Sequence, residues 1–280
     1  MCDHHVIESV RRQMLSRRNV LAMGAGGLAA AGALSTVPAR AQTATPAPMP
    51  MPAGGGTLRD LTHTLHDGFP TFSNKPGFSM EQQYEISKDG YNLFILRIEE
   101  HTGTHLDAPL HFSADGSSID ELAVEDLMAP LVVVDIAAKA EADPDAQLTP
   151  DDLDTWIAAN GEIPPRACIA MHSGWARHVD TPMFRNAGAD GTMHFPGFHI
   201  ETIERLLEGD AVAIAVDTLS LDHGMSPDFA VHYRWLPAGR YGIECVAGLA
   251  DLPASGATII VGAPKHRGGT GGPGRILALA

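Results

Sequence analysis

The eleven residues His101-Thr102-Gly103-Thr104-His105-Leu106-Asp107-Ala108-Pro109-Leu110-His111 hold three histidines and an aspartate. All four fall at odd positions, so an extended segment would point them to one face, whereas a helix would spread them around its circumference. Gly103 and Pro109 both disfavour a helix here. A straight strand fails as well. At roughly 3.3 Å per residue His101 and His105 would lie about 13 Å apart, while ligands of one metal ion each sit about 2 Å from it. The chain must bend, and Gly103 tolerates the backbone angles that a bend requires. Pro109 supplies a second turn that returns His111 toward the other three. Imidazole nitrogen and carboxylate oxygen suit zinc or manganese, and with no cysteine nearby the pattern points to a catalytic metal rather than a structural thiolate site. Thr102 and Thr104 are placed to brace the ligands by hydrogen bonds.

A catalytic cluster needs further groups from elsewhere in the chain. Asp217, at the end of an apolar run, together with Asp222, His223, His232 and Glu244, stays open on the residues alone. The strand-end position favours Asp217.

Outward from this segment, short apolar runs rich in β-branched residues predict buried strands at 93–98, 131–136, 211–216 and 258–261. Helices fall between some of them. Thr149 as N-cap, Pro150 at the first helical position, Asp151 and Asp152 in the first turn and Gly161 as terminator delimit one. A second runs from about Ile200 to Glu208, with Ile203, Leu206 and Leu207 on one face. Interleaved strands and helices make this an α/β domain, and strands joined by loops as well as helices predict a mixed β-sheet with flanking helices. No interdomain linker or internal repeat interrupts the stretch from residue 58 to 280, which reads as a single domain.

The first residues follow a different logic. Ser16-Arg17-Arg18-Asn19-Val20-Leu21 is a twin-arginine pattern, an Ala/Gly-rich run follows to Val37, and Ala39-Arg40-Ala41 offers small residues at a cleavage site. Residues 1–41 therefore read as a twin-arginine signal peptide and residues 42–57, rich in Pro, Ala, Met and Gly, as a flexible linker. The Ala/Gly-rich run holds poorly in hydrocarbon, so no stable membrane insertion is expected after cleavage, and the implied location is the periplasm.

Cleavage removes Arg11, Arg12, Arg17, Arg18 and Arg40 with Asp3 and Glu8, leaving 14 basic against 32 acidic residues and a formal charge of −18. Such a surface repels phosphate backbones and excludes nucleic acid as a partner. Cys168 and Cys245 each lie in an apolar run and are expected to be unpaired core thiols.

The segment from His101 to His111 resembles the signature His-x-Gly-Thr-His-x-Asp-x-Pro-x-His of the metal-dependent cyclase family, which includes bacterial kynurenine formamidases and isatin hydrolases. The likeness continues through Asp60-Leu61-Thr62, His172-Ser173-Gly174-Trp175, Val216-Asp217-Thr218 and the closing loop from Gly262 to Arg275. That loop, with Gly268, Gly269, Gly271 and Gly272, lacks the Gly-Lys-Ser/Thr ending of a phosphate loop.

The resemblance implies a swivelling β/β/α fold and a homodimer. It makes His101, His105 and Asp107 ligands of one divalent ion, zinc or manganese. Asp107 would bridge to a second ion held by His232 and Glu244, and His111 would be the general acid/base. Phe72 matches a substrate-stacking tryptophan of the kynurenine enzymes. The smaller ring, Ser73 beside it and the export signal all set this chain apart from formylkynurenine chemistry. Glu244 stands where isatin hydrolases carry a glutamine.

The function expected is hydrolysis of an amide, formamide, lactam or ester bond of a small, aromatic molecule by metal-activated water. Two alternatives use the same sequence differently. A periplasmic metal-binding or carrier protein would share the ligands but would leave His111 without a task. A serine hydrolase would use Ser173 or Ser220, neither of which sits in a Gly-x-Ser-x-Gly elbow.

Overall fold

Four parallel strands carry the centre of the molecule. In the computed structural model, which describes residues 56–280, the strands in chain order are β1 Leu58–Asp60, β2 Phe78–Tyr84, β3 Leu93–Ile98, β4 His105–Asp107, β5 Met128–Asp135, β6 Gln147–Leu148, β7 Cys168–His172, β8 Gly197–Phe198, β9 Ala213–Val216, β10 Tyr241–Glu244, β11 Ala257–Gly262, β12 Gly271–Pro273 and β13 Arg275–Leu279. Nine of them form one sheet in the order β1-β13-β11-β5-β7-β9-β10-β4-β12. The stretch β5-β7-β9-β10 is parallel, and the strands outside it pair antiparallel. The predicted mixed sheet is therefore present.

The central strands bury both faces, as their unbroken apolar runs require. Leu131, Val133, Cys168, Ala170, Ala213, Ala215 and Ile243 face one side, where they pack with Leu106 of β4 and Ile276 and Ala278 of β13. Strands near the two ends of the order thus share one core, because the sheet curls into a half-barrel. Val132, Val134, Ile169, Met171, Ile214 and Val216 face the other side, against Leu153 and Trp156, Ile203 and Leu206, and Val231 and Trp235. These pairs come from the helices Pro150–Asn160, Ile200–Glu208 and Ala230–Trp235. Burying each such side chain stabilises the fold by about 1.5–3 kcal/mol.

Both expected helices form within their predicted limits. Thr149 and Asp152 make a reciprocal capping box at the start of the first, worth about 1 kcal/mol, and Gly161 ends it at φ +91°, ψ −175°, open to glycine. Cys168 and Cys245 are buried and unpaired, as expected.

The described residues divide into two units, one of Gly56–Ser79 with Arg97–Ala280 and another to which Met80–Leu96 belongs. The second holds most of the β2–β3 ribbon and the short helix Ile86–Asp89. Here the reading of 93–98 as a buried strand is corrected. The strand forms, but Phe94, Ile95 and Leu96 are 42–51% exposed, because a two-stranded ribbon has no second layer to cover it. The signal-peptide segment, residues 1–41, and residues 42–55 of the linker lie outside the described residues.

Candidate metal centre

Gly103 sits at φ +73°, in the left-handed region that glycine enters without penalty. The bend it makes ends the loop from His101 and feeds β4, so that His105 and Asp107 enter the sheet between β10 and β12. In the β4–β10 ladder Glu244 is directly opposite His105. Residues opposite one another in an antiparallel pair share a face, so the register alone brings Glu244 to the histidine, with Oε2 3.4 Å from His105 Nε2. Leu106, between the two ligand-type residues, points to the other face and is fully buried in the core.

Pro109 starts a tight turn over Pro109–His111. The turn lays the His111 ring over that of His101, with centroids 3.8 Å apart and planes inclined by 21°. His232 arrives from the helix Ala230–Trp235, placing Nε2 3.4 Å from Asp107 Oδ2 and 3.2 Å from Glu244 Oε1. All six groups that the resemblance singles out, His101, His105, Asp107, His111, His232 and Glu244, are thus brought together. Two sets of donor atoms, His101-Asp107-His111 and His105-Asp107-Glu244, converge within 4.8 Å and share Asp107.

The hydrogen bonds aim these side chains. His105 Nδ1 donates to the Gly103 carbonyl at 2.9 Å, which leaves Nε2 to face inward. His232 Nδ1 lies 2.6 Å from Asp222 Oδ2, and Asp222 also accepts the backbone N–H of Val231 and of His232. Asp222, left open on sequence grounds, therefore orients a histidine instead of joining the cluster. His105 Nε2 and Asp107 Oδ2 are buried without a hydrogen-bond partner. A buried nitrogen and carboxylate oxygen left unpaired at the centre of a His/Asp/Glu cluster fit a divalent cation.

Charge points the same way. Burial and the surrounding hydrogen bonds compete at Asp107, and the three histidines beside it hold it well below the usual carboxylate range. Burial opposes charge on His105, yet Asp107, Cys245 and Glu244 raise it well above the usual imidazole value. His232 is raised in the same way by Asp107, Asp222 and Glu244 against its burial. The cluster demands positive charge. His111 differs, since burial together with His101 and His232 lowers it to about 4.

His101, His105, His111, His232 and Glu244 line a cavity of about 270 Å³ together with Pro70, Phe72, Phe112, Leu219, Ser220 and Phe229. The Phe229 ring lies 5.5 Å from that of Phe72 and 5.8 Å from that of Phe112. Among the described residues, no lysine or arginine lines this cavity. Phe112 follows the histidine segment directly and could have been read with it; Phe229 has no local signal, and its φ of +54° is unusual for an aromatic residue.

Several expectations are corrected. Asp217 lies elsewhere, accepting hydrogen bonds from Ser173 N, Ser173 Oγ and Trp175 N. It ties two strand ends together, and its strand-end position reflects that role. Thr104 Oγ1 donates to the Cys245 carbonyl at 2.6 Å and accepts from His63 N, so it joins backbone segments and does not brace a ligand side chain. Thr102 Oγ1 has no hydrogen-bond partner. His223 is absent from the cavity wall. Ser173 spends its hydroxyl proton on Asp217, and Ser220 Oγ meets no base, so neither serine is set up as a nucleophile.

Residues 59–223 match the family model described as putative cyclase. The chain is 35% identical over 225 residues to an isatin hydrolase of Roseibium aggregatum, covering 75% of this chain and 84% of that protein. It is 28% identical to a kynurenine formamidase of Salinibacter ruber over 66% of this chain and 79% of that one. Among solved structures, an isatin hydrolase with the product analogue thioisatinate bound superposes with a TM-score of 0.75 at 32% identity, covering 80% of this chain and 92% of the other. With more than half of the chain matched by this family model and an isatin hydrolase 35% identical over 75% of it, the chain belongs to the cyclase family.

Proposed function

We propose that this chain is a metal-dependent hydrolase that cleaves a carbon–nitrogen bond, as in a formamide or lactam, or an ester, of a small uncharged aromatic molecule. The observation that carries this reading is that His105 Nε2 and Asp107 Oδ2 are buried without a hydrogen-bond partner in a cluster whose His105 lines a phenylalanine-walled cavity. The relatives support it: one is an isatin hydrolase, another a kynurenine formamidase, and a structural neighbour was solved with thioisatinate.

His101, His105 and Asp107 would hold one ion, zinc or manganese, and Asp107, His232 and Glu244 a second; the donor atoms converge in a different grouping, His101-Asp107-His111 and His105-Asp107-Glu244, and what supports two ions is that Asp107 belongs to both. When bound, such an ion acidifies water and polarises a carbonyl group. The protein's own groups do the rest. His111, neutral because its pKa is near 4, accepts a proton inside the cavity and passes it to the departing nitrogen or oxygen. Phe72, Phe112 and Phe229 exclude water and hold an aromatic ring. With three phenylalanines and, among the described residues, no lysine or arginine in the wall, the cavity supports an isatin-like or formanilide substrate over formylkynurenine.

We further propose that residues 1–41 direct export by the twin-arginine pathway to the periplasm, with residues 42–57 as a tether. The protein would act as a homodimer, since Phe94, Ile95 and Leu96 expose apolar surface that a second copy can cover.

The test is a screen of metal-quantified protein against formanilides, lactams and isatin-like rings. His105→Ala and Asp107→Ala should lose both ion and turnover, and His111→Ala should keep the ion and lose turnover by about 10²–10⁴-fold. Bound metal with no hydrolysis of any of them would favour the carrier alternative. Activity retained in all three variants would overturn the proposal.

A further inference from the structure

The glycine-rich segment Gly268-Gly269-Thr270-Gly271-Gly272 binds no phosphate motif and lies outside the cavity wall, yet it touches the metal centre from behind. Thr270 Oγ1 donates to Glu100 Oε2 at 2.6 Å, and Thr270 N points to both oxygens of the same carboxylate at 3.2 and 3.3 Å. His101 Nε2 is 3.0 Å from Thr270 Oγ1. A hydroxyl has one proton to give, and Thr270 gives it to Glu100. It can therefore only accept from His101, so Nε2 carries a proton toward Thr270, while Nδ1 faces inward and donates to Asp107 Oδ1 at 2.6 Å; Nδ1 is the atom that would turn its lone pair to an ion.

Two features keep the threonine in place. Its carbonyl accepts the N–H of Ala108, and the Gly269 carbonyl accepts that of Ile119, so the loop is laced to the chain beyond β4. The flanking glycines allow close approach: a Cβ at Gly269 would fall 2.1 Å from His266 Nε2 and 2.7 Å from Glu100 Oε1, and one at Gly271 would fall 2.2 Å from the Leu106 carbonyl and 2.7 Å from His101 Cε1. His266 Nε2 holds the first Glu100 oxygen at 2.6 Å. Burial works against charge on Glu100, but the bonds from Thr270 and His266 keep it below its usual range, so it remains an acceptor.

We infer that Thr270 and Glu100 are positioning residues that hold the proton on the outer nitrogen of His101, Nε2, and fix the tilt of its ring, and that the glycine-rich loop exists to seat them. The inference rests on the metal reading of the site. A hydrogen-bond partner on the outer nitrogen of a metal-binding histidine typically changes metal affinity by 10- to 100-fold.

The test is titration of the ion-free chain with Zn²⁺ and with Mn²⁺ in competition with a chelator, for the parent, Thr270→Val, Thr270→Ser and Glu100→Gln. Thr270→Val keeps the shape and loses the hydroxyl. It should weaken binding by about 10- to 100-fold while the ion-free melting temperature stays that of the parent. Thr270→Ser should restore parental affinity, which a purely structural role for the methyl group would not. Glu100→Gln, at a partly exposed position, should weaken binding by less and serves if Thr270→Val does not fold. Parental affinity in Thr270→Val or, failing that variant, in Glu100→Gln overturns the inference alone, as does a Thr270→Ser as weak as Thr270→Val. A parent that binds neither ion overturns the metal reading and this inference with it.

Discussion

Glu244 stands directly across from His105 in the β4–β10 ladder, and their side chains meet at 3.4 Å. A sheet register thus sets the distance between two groups that lie far apart in sequence. Registers in a sheet with a buried face are strongly specified, because a slip by one residue would turn Leu106 out of the core and the two ligand-type neighbours into it. The polar cluster inherits its precision from the apolar core.

His232 depends on Asp222, which holds its outer nitrogen at 2.6 Å. Asp222→Asn should lower metal affinity by about 10- to 100-fold with little effect on His101-side groups, measured by chelator competition. Parental affinity in this variant would show that the helix Ala230–Trp235 alone is enough to aim His232.

The pKa of His111 near 4 has a spectroscopic consequence. In the ion-free protein its ring proton shifts should stay constant from pH 8 down to about pH 5, measured by NMR with His111→Gln used to assign the signal. The sign for stability follows: the unfolded chain takes up this proton first, near pH 6.5, so the contribution is full above that value and is lost as pH falls toward 4. A midpoint near 6.5 in the folded protein would refute the burial argument.

Phe72 is 40% exposed at the rim of the cavity. An aromatic contact worth about 0.5–1.5 kcal/mol corresponds to roughly 3- to 10-fold. Phe72→Ala should raise KM by that factor and leave kcat nearly unchanged in steady-state kinetics on an isatin-like ring. A fall in kcat instead would place the ring in the reaction and not in binding.

Ile95 lies 44% exposed in β3. If two copies cover this ribbon, Ile95→Asp should convert a dimer to a monomer in sedimentation velocity, with the catalytic groups untouched. A parent that sediments as a monomer at micromolar concentration would remove the homodimer.

The legible parts of this molecule were local ones. The bend at Gly103, the turn at Pro109 and the capping box of Thr149 and Asp152 all depend on neighbours within a few residues. The convergence of His101, His105, Asp107 and His111 followed from them. Contacts across the sheet were not legible from the residues alone, and His232 and Glu244 came only from the family resemblance. Thr270 reaches Glu100 across 170 positions, and nothing in either neighbourhood announces the pairing. Asp217 misled because strand ends serve structural ties as well as chemistry. The apolar run 93–98 misled because hydrophobicity shows that a surface is to be covered and not what covers it.

The cluster also has a mechanical meaning. Thr104 and Cys245, which flank the site and are hydrogen bonded to each other, are 141 positions apart, and His232 comes from a third segment. An ion gripped by His105, Glu244 and His232 would be a cross-link closing very long loops of the chain, akin to a removable disulfide. Loading the centre should therefore slow the parting of β4 from β10, so that protease resistance at this edge of the sheet reports occupancy before any substrate is turned over.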